Sequence, residues 1–192
     1  MYLFCYNKRN VFPPMDFIAN TTAVIIVIIT LLLLATAVVN LFFRVPYVPS
    51  KMSAVIKMVS VAELKNGDVV YDLGCGDGRL LFEAEKQKKI DARGYEAAPI
   101  PYLLAKAKKL FLRSKTKISL SNFFKANLKD ADVIFCYLGP EVMSSLMGKI
   151  KNECRKGTRI ISNTFQLKEM VPSKIWEKDP KKHLPSIYLY EI

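Results

Sequence analysis

From Phe17 to Phe43, between Asp16 and Arg44, 27 consecutive residues carry no charge. The densest part, Ala23 to Val39, includes Ile25-Ile26-Val27-Ile28-Ile29 and Leu31-Leu32-Leu33-Leu34. A helix that crosses the hydrocarbon layer needs roughly 20 apolar residues at about 1.5 Å each, so this segment is long enough. A water-soluble domain has no use for a terminal helix that is apolar all round. Lys8 and Arg9 ahead of the run and Ala35-Thr36-Ala37 within it also fit a cleaved signal peptide. The apolar run continues past that site through Val38, Val39, Leu41, Phe42 and Phe43, which favours an uncleaved single-pass anchor. Arg44, Lys51, Lys57 and Lys65 follow it, against Lys8 and Arg9 before it. That bias predicts a membrane protein with its domain on the cytoplasmic side or in an equivalent compartment.

Beyond the anchor the chain reads as a linker and pre-domain helix over 44–66 and one α/β domain over 67–192, with 1–16 as an N-terminal tail. The prolines of Val45-Pro46-Tyr47-Val48-Pro49-Ser50 forbid continuing the helix. Ser50 is placed to cap a short helix containing Val55, Ile56 and Val59. Asn66-Gly67-Asp68 signals a turn into the strand Val69-Val70-Tyr71-Asp72. A glycine-rich loop, a helix over 79–88 and a strand over 92–96 follow. The segment from Pro99 to Arg113 reads as an amphipathic helix with Leu103, Leu104, Ala107, Leu110 and Phe111 on one face, and Lys106, Lys108 and Lys109 toward solvent. Strands are expected over 117–120, 132–137 and 158–162, with a helix from 141 to 156 stopped by Gly157. Ile175-Trp176-Glu177 and Ser186-Ile187-Tyr188-Leu189-Tyr190 form a closing pair of strands. Strand–helix alternation predicts a doubly wound, mostly parallel sheet ending in a C-terminal β-hairpin that supplies an antiparallel strand.

The net charge is +12, and +10 of it lies on residues 45–192. Two readings fit such a domain: attraction to anionic surfaces, membrane headgroups here and nucleic acid as a lesser expectation, or a lysine-rich surface that is simply well solvated. The four cysteines, Cys5, Cys75, Cys136 and Cys154, are widely spaced, and His183 is the single histidine, so neither a zinc site nor a disulfide framework is expected.

The first strand runs into Asp72-Leu73-Gly74-Cys75-Gly76-Asp77-Gly78-Arg79. Glycines at the crest of a strand–helix turn let a ligand approach the main chain, and the next helix N-terminus adds free amide donors. A dinucleotide fingerprint needs a small residue at the position of Arg79, and no G-K-[ST] follows for a Walker-type loop. Asp72 can pair with a cationic amino-acid headgroup. Glu96, at the end of the second strand, can take both hydroxyls of a ribose.

D-L-G-C-G-D-G-R with Glu96 resembles the class I S-adenosylmethionine-dependent methyltransferases over roughly Val45 to Ile192. The anchor, V-P-Y-V-P-S, A-D-V-I-F-C-Y-L and the short C-terminal hairpin resemble one subgroup. These are the membrane-anchored lysine methyltransferases that act on the mitochondrial ATP synthase c subunit and the adenine nucleotide translocase, with their prokaryotic relatives; the resemblance implies the mitochondrial inner membrane if the source is eukaryotic. The resemblance implies a Rossmann-like fold, S-adenosylmethionine as cofactor, and a binding set of Asp72, Gly74, Cys75, Gly76, Asp77, Gly78, Glu96, Asn122 and Phe123. Asn122 stands where the mitochondrial enzymes have an acid, and Lys51 where relatives often have proline. Ser162-Asn163-Thr164-Phe165 replaces an arginine-containing segment.

No general base is legible. Tyr47 and Tyr137 are the candidates for work at the reacting centre, and Cys75 reads as a small loop filler. The function expected is lysine methylation of membrane-associated proteins. The alternatives are a methyltransferase for RNA, a small molecule or a lipid, and a scaffold that has lost activity. The absence of an N-P-P-[YF] motif weakens nucleobase amines.

Overall fold

The computed structural model describes residues 15–43 and 48–192. Tyr47 lies outside the described residues, as do most of the N-terminal tail and the start of the linker.

Helix α1 (Met15–Phe43) covers the whole uncharged run. Its window Ile18–Leu41 is long and apolar enough to cross a membrane, and none of it is buried. The hydroxyls of Thr21, Thr22 and Thr30 donate to carbonyls one turn back, so the helix satisfies these polar groups internally. Its last turns meet the rest of the chain. Leu32, Thr36, Val39 and Asn40 form a half-buried stripe at helical spacing, and Thr36 Oγ accepts from Ile100 N at 3.2 Å.

The domain is one seven-stranded sheet in the order β3-β2-β1-β4-β5-β7-β6. Its strands are β1 (Val69–Leu73), β2 (Asp91–Glu96), β3 (Lys117–Leu120), β4 (Val133–Cys136), β5 (Arg159–Asn163), β6 (Lys174–Trp176) and β7 (Ile187–Glu191). The first five run parallel, and β7 pairs antiparallel with both β5 and β6. The expected hairpin is therefore present, with β7 inside the sheet and β6 at its edge. Helices α2 (Met52–Val61), α3 (Arg79–Gln87), α4 (Pro99–Leu112) and α5 (Pro140–Glu153) flank it. Two apolar clusters result, one packing α2 and α3 and the other α5, on β1, β4 and β5. The all-buried β4 reads as it does because both its faces are covered.

Three details differ from expectation. Lys51, not Ser50, occupies the N-cap position of α2, with no side-chain cap. Ser50 instead offers its carbonyl to Arg79 Nη1 at 2.7 Å. Helix α5 stops at Glu153 rather than at Gly157, whose φ of +89° serves the turn into β5 while its N–H bonds Ile192 O at 2.7 Å. The third is the largest. The apolar stripe of α4 faces outward: Leu103 and Leu104 are about half exposed, and Leu110 and Phe111 are 81% and 88% exposed. Pro101 and Ala105 make the inward contact. The strands already have their bulky cover from other elements, so small residues suffice there.

Candidate active site

The order β3-β2-β1-β4-β5 reverses direction at β1, where the connections leave on opposite sides and open a crevice at the carboxyl ends of the strands. A cavity of about 290 Å³ occupies this place. Asp72, Gly74, Cys75, Gly76, Asp77, Glu96, Asn122, Phe123 and Tyr137 all line it. Gly78 sits one step behind, and the reason for glycine there is steric as well as conformational. Its φ is +77°, and a Cβ would stand 2.8 Å from the Phe82 ring.

The loop is held from below. Gly74 N and Cys75 N both donate to Tyr95 O, at 2.9 and 3.0 Å. A Cβ on Gly94 would lie 2.7 Å from Cys75 Sγ, so β2 needs a glycine beneath the loop. Sequence reasoning missed Gly94, because a lone glycine in a strand carries no signal until the loop is seen above it. It also missed the clamp from the side. Asp77 accepts from Arg79 Nε at 2.8 Å and Nη2 at 2.6 Å, and from Lys108 Nζ of α4. Burial raises the Asp77 carboxyl, but these bonds outweigh it and hold it at about 2. Its charge is thus spent on the protein, and Arg79 links the loop to the linker through Ser50 O.

Glu96 Oε2 accepts from Gly76 N and Oε1 from Ala98 N, each at 2.8 Å. Burial nonetheless raises its pKa. Asp72 is buried at the end of β1, and its carboxyl is pushed up to about 8, first by burial and then by the charges of Glu96 and Asp77. No cation or donor among the described residues offsets this. Such a carboxyl is chemically matched to an arriving ammonium or sulfonium. The same burial and the same carboxylates push the Cys75 thiol well up, which removes it as a nucleophile.

Asn122 Oδ1 accepts from Phe124 N at 2.9 Å and starts a one-turn 3₁₀ segment. Phe123 and Phe124, with ring centroids 4.7 Å apart, present aromatic surface to the cavity. Tyr137 follows β4 and stacks on Phe165 at 6.2 Å. It also borders an adjoining cavity of about 370 Å³, shared with Pro49 and Ser50 and extended by Asn163, Thr164 and His183. The first cavity has one further wall that sequence did not foretell: Val39 and Asn40 of α1. Among the described residues no group of three or more His, Cys, Asp or Glu is placed to hold a metal.

A sheet of this topology, with a glycine loop after β1 and an acid at the end of β2, is that of a class I S-adenosylmethionine-dependent methyltransferase. Solved structures carry the same fold. An RNA methyltransferase from Salinibacter ruber, crystallised with S-adenosyl-L-homocysteine, superposes with a TM-score of 0.71 at 24% identity over 76% of this chain and 94% of its own. A methyltransferase from Pyrococcus furiosus gives 0.60 at 15% identity, over 83% and 94%.

Residues 72–174 match the ANTKMT methyltransferase domain, and the chain belongs to that family. A protein-lysine N-methyltransferase of Saccharolobus islandicus is 32% identical over 77% of this chain and 94% of its own length. The adenine nucleotide translocase lysine N-methyltransferase of Mus musculus is 28% identical over 78% and 69%. The ATP synthase c-subunit lysine N-methyltransferase of Xenopus laevis is 27% identical over 68% and 58%. The protein is an enzyme that uses S-adenosylmethionine, and the cavity's acids fit that cationic cofactor.

Proposed function

We propose that the protein methylates lysine side chains of proteins held at a membrane. The named lysine N-methyltransferases among its relatives support the lysine reading. The membrane reading is carried by one observation. Val39 and Asn40, from the helix long enough to cross a bilayer, line the same cavity as Asp72 and Glu96. A site built partly from the last turns of an anchor works at the bilayer surface. Substrates confined to that layer gain effective concentration there, and soluble ones do not.

In this reading Asp72 holds the cationic headgroup of the cofactor, Glu96 the ribose, and Asn122 with Phe123 the base. Gly74, Gly76 and Gly78 with Cys75 and Asp77 give the loop its shape. The cofactor supplies a methyl group activated by a sulfonium. The lysine amine must be neutral to attack it, because only that form has a lone pair. The chain contributes desolvation. Val39, Val48, Leu138 and Val142 line the cavity, and an ammonium entering such walls beside a positive sulfonium loses its proton more readily. Tyr137, between the two cavities, is the residue that meets the incoming side chain, which enters through the space along Ser50, Asn163 and Thr164.

The test compares strains with and without the protein by mass spectrometry of membrane and soluble fractions. Methyl-lysine on a membrane-fraction protein, present with the full chain and absent with Glu96→Ala, is expected. Methylation of soluble proteins or RNA alone would refute the reading, as would release of the full chain from membranes by carbonate.

A further inference from the structure

The outward stripe of α4 meets α1 at its start, and its far end, at Leu110 and Phe111, stands open among the described residues. Ile100, Leu103, Leu104, Ala107, Leu110 and Phe111 recur at three- and four-residue spacing, a continuous apolar face about three turns long. Leu110 and Phe111 are 81% and 88% exposed. Lys106 and Arg113 flank the stripe on one side and Lys108 on the other, and α4 contains no acid. A helix with bulky apolar residues on one face and lysines beside it is built to lie in a water–lipid boundary.

What covers this face is indicated by α1. The uncharged run of 27 residues makes about 40 Å of helix against about 30 Å of hydrocarbon. Counted from Phe17, about 20 residues fill the hydrocarbon and bring the boundary to the level of Thr36. Thr36 is the residue whose hydroxyl accepts from Ile100 N, the first residue of the α4 stripe. The anchor therefore delivers the start of this apolar face to the headgroup layer. The net charge of +10 on residues 45–192 complements an anionic leaflet.

We infer that α4 is a second membrane contact: its Ile100–Phe111 face lies in the interface of an anionic bilayer beside α1. This rests on the reading of α1 as an anchor. The contact fixes the tilt of the domain on the membrane. Lys108, which bonds Asp77 of the cofactor loop, ties that tilt to the site.

The full chain is reconstituted into vesicles of phosphatidylcholine with about 30% phosphatidylglycerol, carrying brominated phosphatidylcholine as a quencher. The single tryptophan is moved by Trp176→Phe with Phe111→Trp, and in a second protein with Leu110→Trp. A control carries Val171→Trp, which replaces a residue 91% exposed in the loop before β6, at the opposite edge of the sheet. Cofactor binding confirms that each variant is folded. An apolar face sunk roughly 5–10 Å into the boundary should lose about half its fluorescence or more to the brominated chains. The control should lose little, and quenching at 110 and 111 should weaken when the anionic lipid is withdrawn.

Quenching at 110 and 111 no greater than at 171, in chains that resist carbonate extraction, overturns this inference and leaves the anchor standing. Protection from both lipid and aqueous quenchers overturns it in favour of a protein partner or a second copy. Extraction of the chain by carbonate overturns the anchor and this inference together.

Discussion

Replacing Asp72 by asparagine keeps the size and shape of the side chain and removes its titration. The wild-type carboxyl is pushed up to about 8 from an ordinary 3.8. The unfolded chain ionises this group near its ordinary value, while the folded apoprotein keeps it protonated to about pH 8. Its contribution to stability is therefore complete below about pH 4 and is lost as pH rises toward 8, at about 1.4 kcal/mol per pH unit. Near pH 7 the accumulated loss has a ceiling of about 4 kcal/mol. Asp72→Asn escapes that loss but buries an amide without a partner, which costs about 1–3 kcal/mol. The variant should thus be less stable than wild type near pH 4 to 5 and more stable at pH 7 to 8. Urea unfolding of the detergent-solubilised chain, followed by the fluorescence of Trp176, measures the difference at each pH. A difference that does not change between pH 5 and 8, or that changes in the opposite direction, would refute the assignment of a buried neutral carboxyl.

The same substitution has a second, linked consequence. A cationic headgroup beside Asp72 restores its ionised form, so cofactor binding near pH 7 should release about one proton. Calorimetry in two buffers of different ionisation enthalpy reads this directly. The wild type should show buffer-dependent heats and Asp72→Asn should not, while binding the cofactor at least tenfold more weakly, or about 1.4 kcal/mol. Equal buffer dependence in both proteins would place the released proton elsewhere.

Gly78→Ala forces a Cβ against the Phe82 ring at a φ of +77°; it should destabilise the domain by about 2 kcal/mol or more and be visible as a lowered unfolding midpoint. Glu96→Ala leaves the Gly76 and Ala98 amides without their acceptor, so stability should fall by about 1–3 kcal/mol and cofactor affinity should fall with it. Arg159 donates to Glu63 O and Asp68 at 2.8 Å each and also to Ala62 O, joining the end of α2 to β5; Arg159→Ala should cost about 1–3 kcal/mol while methyl transfer by the folded fraction is unchanged. Among the described cysteines all three thiol pKa values are raised by burial, and Cys75 and Cys136, both buried, should resist alkylation that reaches the half-buried Cys154 before them, as peptide mass mapping would reveal.

The strand and helix order was legible because each element carries its own periodicity and is closed by its own turn residues. Val69–Leu73 and Val133–Cys136 are short apolar runs between turns, and the structure makes both of them strands of the parallel sheet. The glycine loop and Glu96 were legible as one candidate site from their spacing, and the fold gathers them around one cavity. What local pattern could not supply was the identity of whatever covers a face. The stripe from Leu103 to Phe111 has the same period whether its partner is protein or lipid, and only the finished fold, with the sheet covered by other elements, leaves it facing outward. Val39 and Asn40 were unreadable for a related reason. In sequence they are two more residues of a spanning helix, and their place in the cavity wall depends on a chain reversal that brings Thr36 to Ile100, 64 residues away. Long-range contacts of this kind leave no periodic trace. In this chain they join α1 to the cavity, so that the helix proposed as the anchor forms part of the wall of the proposed site.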